Sequence, residues 1–83
     1  MEKILAELKS LYRAQEDHGL TARTQGRLEQ ARRYFARAEA YAFAAGMVAR
    51  ELGDRATVLE MDEAESLNFR RATADNAQAP ATW

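Results

Sequence analysis

Eighty-three residues with one histidine, two serines and no cysteine offer little raw material for catalysis. A nucleophile needs an adjacent base, and a metal needs several ligands converging on one point. His18 stands beside Glu16 and Asp17, but consecutive residues on a helix point in different directions and do not chelate together. The trio reads as a solvated helix end. Glu60 with Glu63, and Asp62 with Glu65, are carboxylates three apart. They lack the Glu-x-x-His companion of helical di-metal sites, so a solvated acidic face is the better reading. The expectation is no enzyme, no metal and no cofactor.

The arginines are more informative. Arg23, Arg27, Arg32, Arg33 and Arg37 crowd the first half of the longest helical segment, where positive charge opposes the macrodipole. Helix stability does not account for them, and guanidinium groups bind either carboxylates or phosphates. The formal net charge of -1, and the lack of an aromatic platform or nucleic-acid motif around them, favour protein contact over nucleic acid. Two aromatics join them as candidate partner-binding residues. Phe43 points away from the apolar seam described next and needs separate cover, and Trp83 is the anchor available in the tail NAQAPATW.

The elements that must position these residues are helices. Residues 2–18 carry Ile4, Leu5, Leu8, Leu11 and Tyr12 at helical spacing with charges on the other side, and His18-Gly19 suits a helix end. Thr21 or Thr24 can cap the next helix. Over residues 22–52, Leu28, Ala31, Phe35, Ala38, Ala42, Ala45, Ala49 and Leu52 alternate by three and four, an unbroken seam made mostly of alanine and widened by Tyr34, Tyr41 and Val48. Gly53 closes that helix and Asp54 caps a third, over residues 55–75. The packing face of the third is blurred, because Val58, Met61, Ala64, Leu67, Phe69 and Ala72 form no single stripe. Residues 76–83, with Pro80, form a tail.

Gly26, Ala31, Phe35 and Ala38 resemble the second half of a tetratricopeptide repeat, in which small residues and a phenylalanine let two helices pack closely. A shift of about 34 residues, the length of that repeat, pairs Gly19 with Gly53, Phe35 with Phe69 and Ala38 with Ala72. The resemblance would imply a stacked helical array. The chain departs from it where Ala31 meets Glu65, and where an array needs a helix break between Ala38 and Gly46.

The fold class is therefore all-α: a three-helix up-down-up protomer over residues 1–75, one domain with a long central helix. A central helix of about 31 residues would measure about 46 Å, against about 25 and 31 Å for its neighbours. The gaps call for a second chain, and the sequence predicts a homodimer through Phe35, Ala38, Tyr41, Ala42, Ala45 and Ala49. In a hairpin about Gly53, the arginines gather with Arg70 and Arg71 at one end. Glu51, Asp54, Glu60, Asp62, Glu63 and Glu65 gather at the other, so antiparallel copies would bring unlike ends together. The start MEKILAELKS lacks a signal-peptide pattern, and no apolar run is long enough to span a bilayer, which predicts a soluble cytoplasmic chain. The expected function is a non-enzymatic interaction protein that binds a partner protein, a regulator, adaptor or inhibitor of the kind a phage or other mobile element encodes. The alternatives are a structural assembly subunit and an accessory nucleic-acid binder using the arginines.

Overall fold

A computed structural model describes residues 1–74. Within them the chain forms α1 (Glu2–Thr24), α2 (Leu28–Leu52) and α3 (Arg55–Thr73), joined by two short turns. Each turn is written by a glycine. Gly26 and Gly53 have φ of 77° and 71°, the left-handed region in which a Cβ is penalised. In the first turn Gly26 N–H donates to Arg23 O and Arg27 N–H to Ala22 O, both at 2.9 Å. In the second, Gly53 N–H donates to Arg50 O at 3.1 Å and Asp54 N–H to Ala49 O at 2.9 Å. Both patterns satisfy the last orphan carbonyls of the preceding helix. Asp54 then starts α3: its Oδ1 accepts from Thr57 N–H at 3.1 Å and its Oδ2 from Thr57 Oγ1 at 2.6 Å. These bonds stabilise the charged carboxylate and hold Asp54 below the usual carboxylate range.

The first boundary differs from the one expected near His18. α1 runs on through Gly19 to Thr24, because Gly19 is a packing residue rather than a cap. A Cβ at Gly19 would lie 2.6 Å from Phe35 Cε1, so the missing side chain is what lets α1 and α2 approach across the Phe35 ring. Thr21 lies inside α1, and the Thr24 hydroxyl donates back to Leu20 O at 2.9 Å. Neither threonine caps α2, whose N-cap position is Arg27.

The longer α1 removes the uneven coverage that called for a second chain. The helices have 23, 25 and 19 residues, about 35, 38 and 29 Å, so α1 spans nearly the whole of α2. Leu5 packs with Ala45 and Ala49 at one end, and Ala22 with Ala31 and Phe35 at the other, which makes α1 and α2 antiparallel. α3 returns along α2, parallel to α1. The seam residues Phe35, Ala38, Ala42, Ala45 and Ala49, expected at an oligomer interface, are 0% exposed within the protomer, and Tyr41 is half-buried. That seam is therefore core: α1 and α3 already cover it. Alanine contributes little burial per side chain, and the close backbone approach it permits recovers dispersion contacts instead.

The blurred stripe of α3 resolves into Thr57, Met61, Ala64 and Asn68. Asn68 is fully buried, and its Nδ2 donates to Ala64 O at 2.9 Å and to Glu16 Oε2 at 3.2 Å. Arg71 Nη1 reaches the same carboxylate oxygen at 3.1 Å, and the Arg71 guanidinium lies 5.2 Å from the Phe35 ring centroid. This polar group ties α1 to α3 between two apolar clusters. The tetratricopeptide correspondence does not survive the geometry: Gly19 is mid-helix whereas Gly53 is a left-handed cap, and Phe35 is 0% exposed whereas Phe69 is 51% exposed.

Candidate functional site

The five arginines are spread over the last turn of α1, the turn that follows it and the first half of α2. Arg23 lies in the last turn of α1, where a cation suits the dipole, and Arg27 lies in the turn, hydrogen-bonded to Gln25. Arg32 is half-buried, and Arg23 and Arg32 both take part in interactions of their own. Exposed Arg33 pairs with Glu29 at 3.7 Å, and Arg37 lies 5.6 Å from the Tyr34 ring centroid. The expected charge separation is also softened. Glu60 meets Lys9 and Arg13 at 3.4 and 3.5 Å, Asp62 meets Arg50 at 3.4 Å, and Arg71 meets Glu16. Those contacts also engage one member of each carboxylate pair, and among the described residues no group of three or more His, Cys, Asp or Glu side chains could hold a metal ion. His18 lies beside Tyr34 with ring centroids 5.3 Å apart and planes tilted by 37°. Burial, and then the Glu16 carboxylate, push the Tyr12 phenol up. Trp83 lies outside the described residues.

What the fold does assemble is an apolar outer face on α2. Residues 40 to 49 read Ala-Tyr-Ala-Phe-Ala-Ala-Gly-Met-Val-Ala, without a charge. At 100° per residue such a run is apolar on every side of the helix, whereas a surface helix needs only one apolar stripe. Ala38, Ala42, Ala45 and Ala49 take the inner side. Ala36, Ala40, Phe43 and Met47, spaced by four, three and four, form a second line on the opposite side and are all exposed. Phe43 and Met47 expose 52% and 51% of their surface. At the edge toward α3, Glu39, Glu65, Ser66 and Arg70 surround exposed Phe69 in a shallow groove. At the Gly53 end, Arg50, Arg55, Val58 and Leu59 border a further hollow.

Phe43 was legible in the sequence as the aromatic that misses the seam. Met47, Ala36 and Ala40 were not singled out, although the charge-free run over residues 40 to 49 carries the signal: it has more apolar positions than one seam can use. No described helix is long and apolar enough to cross a membrane. Compared with known proteins, the chain matches no family model, no curated protein and no solved structure.

Proposed function

We propose that this chain is a non-enzymatic helical interaction protein whose docking surface is the outer face of α2, centred on Phe43 and Met47. The observation that carries the reading is the second apolar line on a helix whose first line is already consumed by the core. An exposed aromatic and an exposed methionine on a rigid helix, flanked by alanines that let a partner backbone approach, are the ingredients of helix-on-helix recognition. Among the arginines, Arg33 and Arg37 border this face and are placed to orient a partner rather than to supply its affinity. Their dispersal over α1, the turn and different sides of α2 supports a phosphate-binding role less well, because counterion release from a nucleic acid needs cations aligned along one track. Regulation or inhibition of a bound protein fits this surface.

Photo-crosslinking tests the reading. A benzophenone amino acid at Phe43 or Met47 should yield protein adducts in cells expressing the chain, and the same group at Glu63, exposed on α3, should not. Absence of adducts from positions 43 and 47, or equal labelling from 63, would overturn it.

A further inference from the structure

Resting on that docking surface, we propose that its occupant is a second copy of this chain, packed antiparallel along the outer face of α2 about a twofold axis level with Ala42. Charge order along the face is the argument. The apolar line is bounded by exposed Arg33 toward the start of α2 and exposed Glu51 toward its end. These residues lie nine positions on either side of Ala42. A twofold there sets Arg33 of each copy level with Glu51 of the other, whereas a parallel pair would oppose Arg33 to Arg33 and Glu51 to Glu51. Among the described residues Glu51 makes no ion pair within its own protomer, and Arg33 has only the 3.7 Å contact with Glu29, at side-chain exposures of 72% and 82%.

The same axis organises the apolar side chains. Phe43 lies one position from that axis, so the two Phe43 side chains stand about 3 Å apart along the helix and pack on one another, while Met47 falls level with the space between Ala36 and Ala40 of the other copy. A central aromatic pair is thus flanked on either side by a Met47 set against small side chains, an arrangement that close helix packing accommodates. Glu29 arrives level with the α2–α3 turn of the other copy, where exposed Arg55 opens α3. The face is self-complementary in apolar shape and in charge only when one copy is reversed. This interface lies opposite the core seam of Ala38, Ala42, Ala45 and Ala49.

Sedimentation of the full chain at low salt should show a monomer–dimer equilibrium. Arg33→Glu and Glu51→Arg should each weaken it by about tenfold, because each substitution turns two symmetry-related attractions into repulsions. The combined variant should restore it. The chain has no cysteine, so introduced thiols report register directly. Under a mild oxidant, Arg33→Cys mixed with Glu51→Cys should cross-link the two variants to one another. Arg33→Cys alone should not, since its two copies would stand about 27 Å apart along the axis. Self-cross-linking of Arg33→Cys, or failure of the combined reversal to restore dimers, would overturn the antiparallel register. A monomer at millimolar concentration that still gives adducts with another protein from position 43 would overturn the second copy and keep the docking reading. A monomer with no adducts would overturn both.

Discussion

Gly19→Ala separates a helix-ending glycine from a close-packing one, and the structure sets the size of the effect. In an exposed helix interior the substitution stabilises by about 1 kcal/mol, since alanine orders more easily than glycine. Here the new Cβ would meet Phe35 Cε1, Cδ1 and Cζ at 2.6, 2.8 and 2.9 Å, well inside the roughly 3.5 Å of an ordinary carbon contact. The ring cannot swing aside freely, because it is 0% exposed and Arg71 lies across it. Relief requires α1 to lift from α2 by most of an ångström. Overpacking of this kind costs about 1–3 kcal/mol, so after the gain in propensity the variant should be less stable by up to about 2 kcal/mol. For a chain of this size that is a melting temperature lower by up to roughly 15 °C. Urea unfolding followed at the helical circular-dichroism band reads it directly. The decisive measurement is a double-mutant cycle with Phe35→Leu: the smaller side chain makes room, so the double variant should lose less than the sum of the two singles. Additive losses, or a Gly19→Ala protein more stable than the parent, would refute the packing role.

Three further outcomes follow from the core and the cap. Glu16→Ala leaves buried Asn68 Nδ2 and Arg71 without their carboxylate acceptor and should cost about 2–3 kcal/mol in urea unfolding, whereas loss of the exposed Arg33–Glu29 pair should cost under about 1 kcal/mol. Ala42→Leu, at a position 0% exposed between helices, should destabilise by about 1–3 kcal/mol, and a neutral result would contradict the alanine seam as core. Asp54→Ala should lower the melting temperature at neutral pH. Because the folded carboxyl titrates below its unfolded value, the cap stabilises above the unfolded pKa and its contribution fades as pH falls through the folded one. Thermal melts of parent and variant should therefore converge in acid, and a difference that persists there would assign the effect to something other than the charged cap.

The sequence by itself determined the all-α class, the three-segment order, the Gly53 stop, the Asp54 cap and the alanine line Ala38-Ala42-Ala45-Ala49. Each is a local or periodic property: left-handed φ selects glycine, an orphan N–H selects a carboxylate, and helical geometry brings residues three and four apart onto one side. Tertiary structure alone decided what those features face. Gly19 has the residue type of a stop, and only the Phe35 ring across the gap makes it an interior contact. The stripe of α3 looked broken because Asn68 sits in it, and Asn68 is tolerated there because Glu16, fifty-two positions away in the chain, supplies an acceptor. The alanine seam could have served another copy or this chain's own helices, since periodicity records that a face is apolar without naming its cover. Once α1 extended to Thr24, the protomer covered that seam itself and left the opposite line of Ala36, Ala40, Phe43 and Met47 facing outward. Which apolar line becomes core depends on helix lengths and on side chains meeting across the fold, and these are long-range facts that local spacing does not encode.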